Sequence, residues 1–435
     1  MESWLKRSGV SGLDDLELAD FSDTGRGVRT RRQFEKGEKI LTIPNGVLWT
    51  VKHAYADPII GPALLSAQPL LSVDDTLATY ILFVRSHWSG DYGLGSHVAA
   101  LPASYTSSIF FAEDELEVSA GSSLYTITKQ LDQQIEVDYK ELVERLFGRH
   151  QELFPRDKFT IEDYKWALCT VWSRAMDFKL GDGDSIRLLA AFADMLNHSS
   201  EVEQCHIYDV KSGDLSVLAG KNYKAGDQVF INYGPVPNNR LLRLYGFVVP
   251  GNPNDSYDLV LATHPMAPFF EQKHKLWVSA GLDSTSTVSL TLTDPLPSSV
   301  LRYLRIQRLN ESDLAVMMSH QSDAASERIS DSNEVEVLRF LVESISSLLD
   351  GFGTQLEKLG EQLAEGFYSP GGNAWSAAHV SLGEQRVLRL ARKKAEDLLA
   401  AVETGSGIKR AQCAACKKVS VQLMRCGRCN EYKLG

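Results

Sequence analysis

The segment Ala193-Asp-Met-Leu-Asn-His-Ser-Ser200 ("ADMLNHSS") closes an apolar run, "IRLLAAF" at 186–192. An Asn-His pair in that place reads in two ways, as a polar cap on a buried segment or as the floor of an active site. A second segment bears on the choice, "VFINYGPVPNNRLLRLYGFV" at 229–248. It begins as an apolar strand and ends in Asn232-Tyr233-Gly234, where glycine allows a tight turn or a close backbone approach. Asn238 or Asn239 is placed to cap a helix over 239–245, whose face carries Leu241, Leu242 and Tyr245. Tyr233 and Tyr245 then bracket a strand–turn–helix unit, either as core and helix-face tyrosines or as functional ones.

Outward from these segments the chain changes character in blocks. At the N-terminus, a short helix with Trp4 and Leu5, a turn at Gly12 and the stretch "DTGRGVRT" (23–30) precede a turn at Lys36-Gly37 and a strand, Lys39 to Ile43, stopped by Pro44. From about Asp57 to Val171 the apolar residues recur at three- and four-residue steps, as in "DDTLATYILFVRSHW" and "LYTITKQLDQQIEVDYKELVERLF". Thr160 with Asp163 three positions on forms a capping-box-like start for another helix. Strand-like sequence returns at Cys205–Tyr208, Leu215–Leu218 and Gln228–Tyr233. After about Asp258 the pattern is mostly helical, with Ser/Asp-rich sequence near 321–333 and a clear amphipathic helix in "LGEQRVLRLARKKAEDLLAAV". The order is β, helical insertion, β, helical domain. That is an α+β arrangement, not the βαβα alternation of a doubly wound fold. No G-x-G-x-x-G follows a strand, and P-loop, G-x-S-x-G and H-E-x-x-H patterns are missing.

Composition narrows the classes further. The 435 residues are 43% hydrophobic and carry a formal net charge of -11, which is globular composition without the basic face of a nucleic-acid binder. No stretch approaches the roughly 18–20 apolar residues that span a bilayer, and "MESWLKRSGV" has no signal-peptide core. Six cysteines are too few for a disulfide scaffold, so cytosol, nucleus or both are the expected compartments. Direct contact with nucleic acid or membrane is not expected, and a monomer is.

Taken together and in order, "GRGV…GEKILTIP", "SRAM…ADMLNHSS" and "INYGPVPNNRLLRLYGF" resemble a SET-domain protein methyltransferase of the Rubisco large-subunit lysine methyltransferase-like subgroup. "SHVAALPASYTSSIFFAEDELEVSAGSSL", "YKWALCTVWSRAMDF", "LRYLRIQRLNESDL" and "GEQRVLRLARKKAEDLL" extend the resemblance over roughly residues 1–400. It implies a β-rich SET core split by a helical insertion and followed by a helical C-terminal substrate-binding domain. The implied boundaries are 1–56 and 172–250 for the two SET halves, 57–171 for the insertion and 258–402 for the helical domain.

The resemblance also implies transfer of a methyl group from S-adenosylmethionine to a lysine of a non-histone protein, with ribosomal and translation-related proteins among the candidates. Histidine methylation, or an inactive SET scaffold that binds proteins, are the alternatives. Free lysine has a pKa near ~10.4, so a dry channel must disfavour the ammonium and align nitrogen, methyl carbon and sulfur. Carried over position by position, Tyr233 is the catalytic tyrosine. Gly25, Arg26, Gly27, Arg174, Asn197 and His198 bind the cofactor, the glycines because a Cβ would obstruct it. Arg174, Asp194, Tyr233 and Tyr245 line the lysine channel. His206 and Tyr208 are within plausible reach of the acceptor but receive no assignment.

The last block is a cysteine-rich tail, 411–435. Cys413/Cys416 and Cys426/Cys429 are two C-x-x-C pairs with nine residues between them, a set that can supply a tetrahedral thiolate site for zinc. It resembles the start of a MYND zinc finger, but the sequence stops six residues after Cys429. The expectation is a truncated, partial finger in which zinc binding and a flexible tail both stay open.

Overall fold

The computed structural model describes residues 1–87, 93–181, 183–319 and 328–404, together with the short pairs 411–412 and 419–420. The chain divides into two compact units, one of residues 1–113 and 126–248, the other of residues 114–125 and 249–435.

The first unit is built from short strands and an inserted set of helices. After α1 (Glu2–Arg7) come β1 (Leu16–Phe21), β2 (Gly25–Thr30), β3 (Lys39–Ile43) and β4 (Leu48–Trp49). The helices α2 (Val51–Ala56), α3 (Gly61–Ser66), α4 (Val73–His87), α5 (Leu94–Val98), α6 (Glu113–Glu117), α7 (Ser123–Leu142) and α8 (Ile161–Arg174) follow in the chain, of which α6 beyond Glu113 and α7 before Thr126 belong to the second unit. Thr160 and Asp163 close the expected capping box on α8, satisfying two backbone N–H groups that helix geometry leaves open. Then come β5 (Met176–Gly181), β6 (Asp184–Ala190), β7 (Asn197–His198), β8 (His206–Tyr208), β9 (Leu215–Leu218) and β10 (Gln228–Ile231), and the unit ends with α9 (Asn238–Tyr245).

Three small sheets result. The four-stranded one has the order β1-β2-β10-β7, and the others run β3-β9-β8 and β4-β6-β5. In β2, Val28 and Thr30 face inward and are buried while Arg29 faces out to Glu17 at 2.7 Å, the alternation a half-covered strand requires. β10 pairs antiparallel with β2 and parallel with β7, in the registers Val229↔Val28 and Phe230↔Asn197. This central sheet therefore draws the "GRG", "NH" and "NYG" segments together.

One expectation needs correction here. Pro237, not an asparagine, is the N-cap of α9, and Asn238 is its first, buried residue, with no side-chain cap. Proline's fixed φ is preorganised for a helix start. The apolar run 186–192 is mostly strand, β6, paired antiparallel with β5. It is buried at its far end only, so it lacks the strict alternation that marks a half-buried strand.

The second unit opens with a hairpin of β11 (Ser256–Ala262) and β12 (Thr285–Thr291), with α10 (Phe270–Ser279) between the strands. The mostly helical reading after Asp258 did not include it, because β12 carries mostly Ser and Thr and so shows little hydrophobic pattern. The remainder is helical: α11 (Ser298–Gln307), α12 (Glu311–Ser319), α13 (Asp331–Asp350), α14 (Leu356–Ala364) and α15 (Asn373–Glu403). α13 and α15 bury Val337, Leu338, Leu341, Val387, Leu388 and Ala391 in one core, a stripe at helical spacing that stabilises the pair by roughly 1.5–3 kcal/mol per large aliphatic side chain. No described helix is long and apolar enough to cross a membrane.

Candidate active site

The site forms where β7 and β10 run side by side. The register Ile231↔His198 fixes their relative position, and side chains then lock it. His198 Nδ1 accepts a hydrogen bond from the backbone N–H of Tyr233 at 3.1 Å. Tyr233 in turn donates its hydroxyl to the carbonyl of Leu196 at 3.0 Å. Asn232 donates to the Val202 carbonyl at 2.8 Å and accepts from the N–H of Gly234 at 2.8 Å. Gly234 itself has φ +99, a turn that a residue with a Cβ would adopt only under strain.

Aromatic rings complete this side. Tyr233 stacks on Tyr245 with centroids 4.7 Å apart, and on its other flank lies His198 at 5.0 Å. Burial raises the Tyr233 phenol well above its ordinary value, against the lowering pull of Arg174. At neutral pH the hydroxyl therefore keeps its proton and acts as a donor, not as a base. Burial also lowers His198, with a backbone hydrogen bond to Ile231 opposing it in part. A neutral ring whose Nδ1 is an acceptor carries its proton on Nε2.

On the other flank of the "NH" pair, Asn197 donates from Nδ2 to the carbonyls of Thr24 and Arg26, at 3.2 and 3.1 Å. A Cβ on Gly27 would stand 2.9 Å from that same Nδ2 and 2.6 Å from Gln228 Nε2. A Cβ at 27 would therefore have to displace the ends of two polar side chains, a crowding by protein atoms that adds to the expected obstruction of a cofactor. At Gly25 nothing lies within 4 Å of a Cβ position. Arg26, expected among the cofactor-binding residues, is exposed and donates from Nη2 to the Ala100 carbonyl at 2.5 Å.

On the Tyr233 side lies a cavity of about 440 Å³. Arg174, Asp194, Leu196, His206, Tyr233 and Tyr245 are among its lining residues. Asp194 is delivered to it by a strained backbone: Phe192, wholly buried, has φ +75 and ψ -44, a sparsely populated conformation costing about 1–3 kcal/mol in a bulky residue. The Asp194 carboxylate is completely enclosed. Burial alone would raise its pKa, but His97 and Arg174 outweigh burial and hold it below the ordinary carboxylate value. Arg174 Nη1 donates to the Asp194 carbonyl at 2.8 Å and to its carboxylate at 3.3 Å.

The structure thus brings Arg174, Asp194, Tyr233 and Tyr245 to one cavity and gathers Gly25, Arg26, Gly27 and Asn197 along the adjoining strand β2, with His198 between the two groups. Sequence reading missed His97, which contacts Asp194 from α5, because a lone histidine in a helical block carries no signal of its partner. It left His206 unassigned, yet this residue lines the cavity, set edge-on to Phe178 at 5.5 Å with Nδ1 unpartnered among the described residues. Tyr208 stacks on Phe178 and is not among the lining residues. The open space at Gly25, the half-buried polar Asn197 and the buried, unpartnered Gln228 Nε2 fit a small polar cofactor. Among the described residues no group of three or more His, Cys, Asp or Glu is arranged to hold a metal. Cys413, Cys416, Cys426 and Cys429, with their expected zinc, lie outside the described residues.

Residues 25–234 match the SET domain family and residues 264–388 the Rubisco LSMT substrate-binding family. A ribulose-1,5-bisphosphate carboxylase/oxygenase large subunit N-methyltransferase of Nicotiana tabacum is 28% identical over 400 residues, covering 89% of this chain and 79% of that protein. The [fructose-bisphosphate aldolase]-lysine N-methyltransferase of Arabidopsis thaliana is 27% identical over 400 residues, with 89% and 80% covered. The actin-histidine N-methyltransferase of Homo sapiens is 26% identical over 408 residues, with 90% and 67% covered. Among solved structures, Rubisco LSMT bound to sinefungin and monomethyllysine superposes with a TM-score of 0.82 at 25% identity, over 93% of this chain and 92% of that one. The expected fold, a SET core followed by a helical C-terminal substrate-binding domain, is therefore the fold of this chain. Its relatives are lysine and histidine methyltransferases.

Proposed function

We propose that this chain, which combines a SET domain with a Rubisco LSMT substrate-binding domain and is close to LSMT-like methyltransferases, is an S-adenosylmethionine-dependent protein-lysine N-methyltransferase. The observation that carries the reading is the convergence of Arg174, Asp194, Tyr233 and Tyr245 on one cavity, directly behind the strand pair that holds Asn197 and His198. When bound, the cofactor supplies an electrophilic methyl group on a sulfonium, a good leaving group that needs no metal. The polypeptide has three tasks: to hold the cofactor, to exclude water and to aim the acceptor nitrogen.

In this reading Gly25, Arg26, Gly27, Asn197 and His198 hold the cofactor, with Arg174 reaching its carboxylate end. Tyr233 and Tyr245 form the walls through which the acceptor side chain passes, and the Tyr233 hydroxyl orients the nitrogen. The lysine methyltransferases among the relatives support lysine as acceptor. Histidine methylation is the second reading, supported by the actin-histidine N-methyltransferases among the relatives. The proposed acceptor is a non-histone protein, ribosomal and translation proteins being the first to examine, in cytoplasm, nucleus or both.

The deciding experiment incubates the purified chain and tritiated S-adenosylmethionine with a cell lysate, followed by amino-acid analysis of any labelled protein. Methyl-lysine supports the proposal and methyl-histidine the second reading. Absence of label points to an inactive scaffold.

A further inference from the structure

Three of the four charged residues that line the cavity beside Tyr233 are paired within the chain. On its buried side, Arg174 and Asp194 meet at 3.3 Å. On its exposed side, Asp177 accepts from Arg187 Nη1 through both carboxylate oxygens, at 3.3 and 3.0 Å. Arg187 also lies 3.0 Å from Asp74, so one guanidinium serves two carboxylates. The fourth residue is Arg240. It lines the same cavity and is exposed, and its guanidinium has neither a hydrogen bond nor an ion pair among the described residues.

The position of Arg240 follows from the turn after β10. Gly234, at φ +99, turns the chain beyond Tyr233, and Pro237 starts α9, in which Arg240 falls in the first turn. Leu241 and Leu242, next in sequence, are buried and anchor the helix. Arg240 is thereby held at the cavity mouth by the same short helix that supplies Tyr245. Its charge reaches the channel wall: burial raises the Tyr245 phenol above its ordinary value, and Arg240, ahead of Arg187, pulls it back. This end of α9 also has no acidic residue in its first turn and no side-chain cap, so the positive pole of the helix adds to the arginine.

An unpaired guanidinium fixed beside a channel is matched by a carboxylate or a phosphate, which it grips through two parallel N–H···O bonds. A neutral or basic group in that place gains nothing from it. We propose that Arg240 is a specificity-determining residue: it selects acceptor sites that carry an anionic side chain close to the methylated residue. The inference rests on the methyltransferase reading given above and deepens it by naming the local charge of the substrate. Because Arg240 stands at the mouth, the selection acts on docking and not on methyl transfer.

The test uses the full chain, S-adenosylmethionine with a heavy-isotope methyl group and a cell lysate, with modified sites mapped by mass spectrometry. Sites labelled by the wild type are expected to carry Asp, Glu or a phosphorylated residue within about three positions, the ~10 Å that an extended chain spans in that count. Phosphatase treatment of the lysate separates the two sources: loss of label assigns a phosphate, and unchanged label a carboxylate. On the labelled protein, once purified, Arg240→Gln should raise KM about fivefold. Its kcat and its calorimetric cofactor affinity should stay within about twofold of wild type, the pattern of lost uniform binding. Arg240→Glu should raise KM further, and changing the acceptor's anionic neighbour to lysine should recover much of that loss, a coupling that a merely structural role would not produce. Equal KM in the wild type and Arg240→Gln, a fall in kcat alone, or labelled sites without an anionic neighbour overturns the inference. If the wild type labels nothing, the methyltransferase reading falls and this inference falls with it.

Discussion

His198 Nδ1 accepts the backbone N–H of Tyr233, so the histidine of the Asn-His pair is a clamp on the tyrosine strand. Replacing it by leucine leaves that N–H without a partner in a half-buried place. The expected loss of stability is about 1–3 kcal/mol, read from denaturant unfolding of the first unit, for example by fluorescence from its tryptophans. An unchanged midpoint would mean that water or another acceptor serves Tyr233 equally well.

The same clamp predicts a pH dependence. Burial keeps the His198 pKa below its ordinary value, and burial also lowers His53, His206 and His379. The unfolded chain takes up protons near pH ~6.5 while the folded chain does so only at lower pH. Stability is therefore fully present above the unfolded pKa and is lost as pH falls through the folded values. Melting temperature should drop between about pH 6.5 and 5, and the drop should be smaller in His198→Gln.

Tyr233→Phe removes the hydroxyl that donates to Leu196 and keeps the ring that stacks on Tyr245. Methyl transfer should fall about 10²-fold or more, the scale for removing one preorganised donor. Calorimetric affinity for S-adenosylmethionine should change little. Full activity in this variant removes Tyr233 from the mechanism.

Asn197→Ala acts on the other side of the sheet. It deletes the two donations that tie the pair to the Thr24 and Arg26 carbonyls. Cofactor affinity should weaken about tenfold, equivalent to about 1.4 kcal/mol, and saturating cofactor should restore much of the rate. A rate that stays low at saturation would assign Asn197 to the acceptor side instead.

In the second unit, Arg305 and Glu334 form a buried two-pronged ion pair, with both bonds at 2.7 Å. Glu334→Ala strands a guanidinium in the core, with an expected loss of about 3–5 kcal/mol. Replacing both residues by Met and Leu should recover most of it in thermal unfolding. If single and double variants unfold alike, the guanidinium reaches solvent.

The comparison of sequence and structure divides along physical lines. Lys39–Ile43 with its Pro44 stop, the Thr160 capping box and the helical block between the strands were legible, because local propensity and capping act over a few residues. The Ser/Thr-rich β12 was not, since it gains stability from pairing with β11 and carries few apolar residues, and the β5–β6 hairpin was not, since the alternation of Met176, Phe178 and Leu180 is short and β6 ends in a continuous apolar run.

For the site, the chain's own order of residues determined that "GRG", "NH" and "NYG" exist, and that an aspartate precedes the Asn-His pair by three positions. Only tertiary structure decided what each one touches. The parallel pairing of β7 with β10 makes His198 a clamp on Tyr233, the crossing of Asn197 onto β2 crowds the Cβ position at 27, and the fold places His97 against Asp194 across 97 positions of chain. Those relations depend on hydrogen bonds between distant segments, which composition and periodicity do not encode, because each partner alone is compatible with many others until the backbone has brought one of them within 3 Å.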